Sequence, residues 1–205
     1  MTMDLTIASD DIGGDPAFRH LSTIAGIAVD LRYATPDNFT GRDLYSPFDC
    51  AWLHRDAAAA LEGAVAWLAR HAPGHTLLVL DALRPQRVQQ QLWDALDGTG
   101  LRIYLADPAR GSIHSYGMAL DVTLLDADGH ELDMGTGFDD MTELSHPALE
   151  QGFLRAGALT DSQVAGRRLM RAAMLQAGFF GINTEWWHFD CGDRDHVRQT
   201  FRRVL

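Results

Sequence analysis

Ser112-Ile113-His114-Ser115-Tyr116-Gly117-Met118-Ala119-Leu120-Asp121-Val122-Thr123-Leu124-Leu125 is the stretch from which the rest of this chain can be read. Residues 118–125 have the pattern of a strand. Asp121 and Thr123 share a face with Ala119, while Leu120, Val122 and Leu124 point the other way. His114 and Asp121 are seven residues apart, an odd separation that puts them on opposite faces of a continuous strand. They converge only if His114 sits in a bend before the strand begins, and Gly117 is the residue that permits the bend. A second segment, Glu185-Trp186-Trp187-His188, poses the same problem, because a flat strand separates residues three apart. A bulge or irregular run near Asn183-Thr184 would bring Glu185 and His188 to one point.

Together the two segments offer two imidazoles, a carboxylate able to bind metal, and a second carboxylate able to move protons. Zinc takes imidazole nitrogen and carboxylate oxygen in tetrahedral geometry, leaving a fourth position for water in a catalytic site. Two neutral histidines and one aspartate leave a positive centre, which lowers the pKa of bound water toward ~7. Glu185 is then placed to take that proton and return it to a leaving amine. An arginine on the open side would steady the oxyanion. Read singly, each histidine is equally a surface or satisfied core residue, and Glu185 a salt-bridge partner; spacing alone leaves both readings open. Among the other histidines, His146 is the candidate for a supporting or alternative ligand. The cysteines Cys50 and Cys191 read as small buried side chains, with a minor metal-proximal role open to Cys191.

Working outward, Arg55 to about His71 has strong helix propensity, and Pro73-Gly74 stops it. Thr76-Leu77-Leu78-Val79-Leu80 reads as a buried strand. Pro85 suits the first turn of a helix reaching about Leu96. Asp126-Ala127-Asp128-Gly129 is a turn, with His130 to Met134 returning as a hairpin partner. Thr160 or Asp161 caps a helix over 162–177, ended by Gly178. Residues 184–190 form another strand, and Asp193 to Leu205 a closing helix with Arg198, Arg202 and Arg203 toward its end. No regular βαβ alternation runs through this pattern. The expected class is α+β: one domain over 1–205, with a central antiparallel sheet packed against helices.

The 205 residues are 46% hydrophobic and 22% charged, enough for one good core. A net charge of −11 argues against nucleic acid and anionic membrane as partners. The opening Met1-Thr2-Met3-Asp4-Leu5 lacks a basic, apolar leader pattern, and two cysteines make no disulfide framework. A reduced cytoplasm is the expected compartment. A homo-oligomer stays open, since no sustained heptad or clear apolar stripe argues for or against it.

The pattern Ser-x-His-x-x-Gly-x-Ala-x-Asp followed by Glu-x-Trp-His resembles the zinc D,D-peptidases of the VanY, VanX and hedgehog-fold group. Further segments resemble the VanX-type D-alanyl-D-alanine dipeptidases. These are Asp30-Leu31-Arg32-Tyr33-Ala34-Thr35 with Asn38-Phe39-Thr40-Gly41, and Asp81-Ala82-Leu83-Arg84-Pro85. Asp133-Met134-Gly135-Thr136-Gly137-Phe138-Asp139 and Glu185-Trp186-Trp187-His188-Phe189 complete the set, which spans about residues 27–190. The resemblance implies one zinc ion on His114, Asp121 and His188, Glu185 as general base and acid, and Arg84 as transition-state stabiliser. It implies Asp81 as a support of Arg84 or a substrate contact. Tyr33, Ser112 and Asp139 would meet the charged ends of a small-molecule dipeptide, with Asp140 competing for the role of Asp139. Tyr116, Met118 and Gly137 depart from the family pattern, which touches the pocket rather than the metal chemistry.

Three functions are then in view. A dipeptidase cleaves free D-Ala-D-Ala in a small pocket that pairs both substrate charges. A D,D-carboxypeptidase acts on peptidoglycan stem peptides through an open cleft, and the tryptophan after Glu185 counts against it. A non-catalytic zinc module would have no need to keep Glu185 and Arg84. The dipeptidase chemistry would serve glycopeptide resistance or D-alanine turnover equally well.

Overall fold

The structure, a computed structural model, describes residues 5–205; the acidic opening Met1 to Asp4 lies outside the described residues. In chain order the strands and helices are β1 (Thr6–Ile7), β2 (Phe18–His20), β3 (Ile27–Val29), β4 (Trp52–His54), α1 (Arg55–His71), β5 (Thr76–Asp81) and α2 (Gln86–Ala95). There follow β6 (Ala119–Leu125), α3 (Glu150–Arg155), α4 (Asp161–Gln176), β7 (Phe179–Gly181), β8 (His188–Cys191), α5 (Arg194–Thr200) and β9 (Arg203–Val204). The central sheet has the order β3-β5-β6-β8-β7, and the two remaining strand pairs are β1-β9 and β2-β4. The class is α+β, as the pattern of elements implied.

Both faces of β5 and β6 are covered, which is why each reads as a nearly continuous apolar run. The alanine-rich stripe of α1 (Ala57, Ala58, Leu61, Ala64, Leu68) is buried in the same core as Leu77, Val79, Leu120 and Val122. Met170, Ala173 and Met174 of α4 join it. Thr160 caps α4 through a complete capping box with Gln163, settling the choice between Thr160 and Asp161.

Five expectations need correction. The sheet is not wholly antiparallel: β3 runs parallel to β5, because α1 lies in the connection between them, and a crossover of that kind returns the chain in the same direction. His130 to Met134 does not return as a strand. A single bridge joins Leu125 and Glu131, and Leu132 N–H still reaches the Leu124 carbonyl at 2.8 Å. The segment is then drawn away by the fully buried Arg167 of α4. Its Nε donates to the Met134 carbonyl at 2.7 Å, Nη1 to the Leu144 carbonyl at 3.0 Å, and Nη2 to Thr136 Oγ1 at 3.3 Å. The closing helix stops at Thr200, after which the chain extends so that β9 pairs with β1 and buries Val204 beside Ile7. The last strand begins only at His188, with β7 as its neighbour, and Pro85 sits at the cap of α2 rather than inside its first turn.

Two irregularities position the site. Gly117 ends a 3-10 turn over Ile113–Tyr116 at φ 64°, and a Cβ there would lie 2.6 Å from the His54 backbone nitrogen. Only glycine fits, so His114 hangs from a bend before β6, as its odd spacing from Asp121 required. A register shift between Val79 and Asp81 brings Asp81 opposite Asp121, and Asp121 lies opposite His188. One row across β5, β6 and β8 therefore carries Asp81, Asp121 and His188.

Candidate active site

That row ends in a cavity of roughly 250 Å³ lined by Tyr33, Arg84, Ser112, His114, Asp121, Asp139, Glu185 and His188, with Ile103, Tyr104, Trp187, Asp190, Arg194 and Arg198 among the other walls. The volume is below the roughly 300–1,000 Å³ of clefts for drug-sized ligands, a size that suits a small occupant.

The donor atoms of His114, Asp121 and His188 lie within 4.8 Å of one another. His114 Nδ1 stands 2.8 Å from the Ala82 carbonyl, which can only accept, so Nδ1 carries the hydrogen and Nε2 faces inward with a lone pair. His188 Nε2 donates to Asp190 Oδ1 at 3.0 Å, turning Nδ1 inward. Nδ1 then lies 3.0 Å from Asp121 Oδ1 and 3.2 Å from His114 Nε2. Two imidazole lone pairs and a buried carboxylate oxygen converge, an arrangement that calls for a cation. The residues therefore fit a metal ion held by two histidines and an aspartate. Burial opposes the charged imidazole, but the Asp190 and Asp121 carboxylates hold the His188 pKa well above the ordinary histidine value. Burial likewise opposes the Asp121 carboxylate, yet His114 and His188 hold its pKa well below the usual range.

Asp190 escaped the sequence reading, although it lies two residues beyond His188 on one strand and so shares its face. It fixes the imidazole of His188 and is itself held by Arg194, whose Nε donates to Asp190 Oδ2 at 2.6 Å. Such outer partners typically contribute 10–100-fold in metal affinity. Asp190→Asn is expected to weaken metal binding by about 30-fold, read by competition with a chromogenic chelator; an unchanged affinity would remove Asp190 from the site.

Asp81 lies behind the wall. It is fully buried, and its Oδ2 accepts from Arg84 Nε at 2.8 Å and Nη2 at 2.5 Å. Its Oδ1 takes the Ala82 N–H at 2.8 Å and the Tyr45 hydroxyl. With both oxygens engaged, Asp81 is placed to hold Arg84 rather than to touch a ligand. The Arg84 guanidinium also reaches Gln89 Oε1 at 3.1 Å and Asp121 Oδ2 at 3.2 Å, and stands over the Tyr33 ring.

Glu185 is buried in the irregular run before β8. Burial pushes its carboxyl up to about 8; His188 and Arg84 pull it down, while Asp121 and Asp139 add to the rise. Asp139, not Asp140, faces the cavity, held at φ 60° in the left-handed region that a non-glycine residue rarely takes. The Tyr33 hydroxyl donates to its Oδ2 at 2.7 Å, and burial pushes the carboxyl up to about 7. His146 is no ligand to the triad; its Nε2 pairs with the Tyr104 hydroxyl at 2.9 Å. Cys50 and Cys191 are free thiols outside the donor group. No signal in the sequence marked Ile103, Tyr104, Arg194 or Arg198 as cavity residues, because distant segments deliver them.

A small cavity with convergent metal-type donors, a buried carboxyl and a fixed guanidinium has the parts of a hydrolase. The family model for Peptidase M15, D-Ala-D-Ala dipeptidase, matches residues 18–205, and the chain belongs to this family. It is 39% identical over 167 residues to a D-alanyl-D-alanine dipeptidase of Escherichia coli K12, covering 80% of this chain and 78% of that protein. It is 30% identical over 200 residues to one from Enterococcus faecium, covering 87% and 92%. A third from Enterococcus faecalis is 31% identical over 190 residues, covering 83% and 89%. No helix among the described residues is long and apolar enough to cross a membrane.

Proposed function

We propose that this protein hydrolyses free D-alanyl-D-alanine to two D-alanines, using one zinc ion held by His114, Asp121 and His188. The observation that carries the reading is the convergence of three donor atoms beside the buried Glu185 in a cavity of roughly 250 Å³ that presents both signs of charge. The family and the names of its relatives point to the same substrate.

Bound zinc would polarise the scissile carbonyl and lower the pKa of an attacking water. Glu185 takes the proton from that water and returns it to the leaving amine nitrogen. Burial raises the affinity of this carboxyl for a proton above that of a free glutamate, which helps it accept the proton from water. Arg84 stabilises the negative charge that develops on the carbonyl oxygen, and Asp81 keeps its guanidinium from turning away. Asp139, supported by Tyr33, receives the substrate ammonium, whose positive charge favours the ionised carboxylate. Ser112 offers a hydroxyl to the other end. Longer or acylated peptides would leave a buried charge unpaired or collide with the wall. We place the enzyme in the cytoplasm, in keeping with its two free thiols.

The test is hydrolysis of D-Ala-D-Ala, its N-acetyl derivative and L-Ala-L-Ala by zinc-loaded and chelated protein. Zinc-dependent cleavage of the free D,D-dipeptide alone is the expected result. Cleavage of the acetylated substrate would make the protein a carboxypeptidase, and no cleavage with zinc bound would make it a binding module.

A further inference from the structure

A free dipeptide brings a carboxylate as well as an ammonium into the cavity, and that carboxylate needs a cation once it leaves water. Three arginines line the cavity: Arg84, Arg194 and Arg198. The first two are already committed. Arg84 is paired with Asp81 and Asp121, both buried. Arg194 is paired with the buried Asp190. Arg198 is different. Its only carboxylate partner among the described residues is Asp195, at 3.3 Å from Nη1, and that side chain is 68% exposed. An exposed pair of this kind contributes little and yields readily to a better partner.

Arg198 is also held in place. Its Nε donates to the Gly111 carbonyl at 3.1 Å, and its side chain is 14% exposed. Gly111 precedes Ser112, so the bond ties the guanidinium to the segment that carries Ser112, and both residues line the cavity. Among the described residues no acceptor engages Nη2. We propose that Arg198, together with Ser112, receives the carboxylate of the dipeptide and so sets the preference for a free C-terminus. The inference rests on the dipeptidase reading above. The residue lies on α5, beyond the last segment that carries the family resemblance. A guanidinium is suited to the role because its planar fork of donors matches a carboxylate, and its charge persists at every working pH.

The experiment compares kcat and KM on D-Ala-D-Ala and on D-alanyl-D-alanine amide, whose C-terminus is uncharged. Arg198→Gln is expected to lower kcat/KM for the acid by about 30-fold, mostly through KM, and to change the amide by less than about twofold. Arg198→Lys should retain most of the preference for the acid. Asp195→Asn, which frees Arg198 from its exposed partner, should lower KM for the acid a few-fold and leave the amide unaffected. Equal losses on acid and amide in Arg198→Gln would show that Arg198 only holds Gly111, and the proposal would fall. No change on either substrate would overturn it as well. If the unmodified protein cleaves neither compound, the dipeptidase reading fails separately. Calorimetric binding of acid and amide to Glu185→Gln protein, with and without Arg198→Gln, then decides the matter. Acid binding that is absent, no tighter than amide binding, or indifferent to Arg198 overturns the proposal.

Discussion

Replacing Glu185 with glutamine is expected to lower kcat on D-Ala-D-Ala by about three orders of magnitude, with KM changed less than about threefold. Glutamine keeps the shape of the side chain but can neither take the proton from water nor deliver one to the amine. A second, independent effect follows from burial. The carboxyl is pushed up to about 8 in the folded protein, from an ordinary value of 4.5. The folded state therefore binds this proton more tightly than the unfolded state does. The stability this contributes is fully present below about 4.5 and is lost as the pH rises through about 8. Glutamine has no such loss. In chelated protein the two forms should respond alike to urea near pH 4.5. Near a pH of about 8.5 the Glu185→Gln form should be more stable, by on the order of a few kcal/mol. Two parallel stability curves would show that Glu185 does not carry this proton, and near wild-type turnover would remove it from the chemistry.

How much of the site could be read from the sequence depends on how local each cause is. The bend at Gly117 is local: an odd spacing and a glycine demanded it, and the φ of 64° supplies it. The irregular run before His188 was legible for the same reason. Asp190 was legible in principle, because residues two apart on a strand share a face, but its acidic side chain gave no sign of pairing with an imidazole. The pairing of Asp81 with Asp121 was not legible, since it depends on a register shift fixed by the packing of whole strands. The same holds for Arg167. Nothing in the pattern of α4 announces that one of its arginines will be buried and will draw Met134, Thr136 and Leu144 toward it. That pull turned an expected hairpin strand into the loop that delivers Asp139 to the cavity. Arg202 and Arg203 suited a helix end by charge, yet Arg203 lies in β9 because the apolar contact of Val204 with the β1 side outweighs a dipole contribution of about 0.3–1 kcal/mol.

Arg84→Ala is expected to act on stability and catalysis together, and a second substitution can separate the two. Removing the guanidinium leaves Asp81 fully buried, with its Oδ2 stripped of two donors at 2.8 and 2.5 Å. Breaking a buried pair from one side typically costs about 3–5 kcal/mol. Loss of an oxyanion donor should lower kcat by about 10²–10³-fold in whatever fraction remains folded. Lysine at this position keeps a charge but not the fork, so Arg84→Lys should fall between wild type and alanine in both respects. The decisive form is Arg84→Met combined with Asp81→Asn. It removes the charge from both sides of the pair. The amide oxygen introduced by Asp81→Asn can still accept from the Ala82 N–H and the Tyr45 hydroxyl, the bonds Asp81 Oδ1 makes now. Much of the lost stability should return in urea unfolding, because no carboxylate stays buried at position 81 and Asp121, which also loses Arg84, keeps its contacts with His114 and His188. Turnover should stay depressed, because nothing replaces the positive charge facing the reacting carbonyl. If activity returned along with stability, Arg84 would be a structural counter-ion for Asp81, and the oxyanion would have to be stabilised by other groups in the cavity.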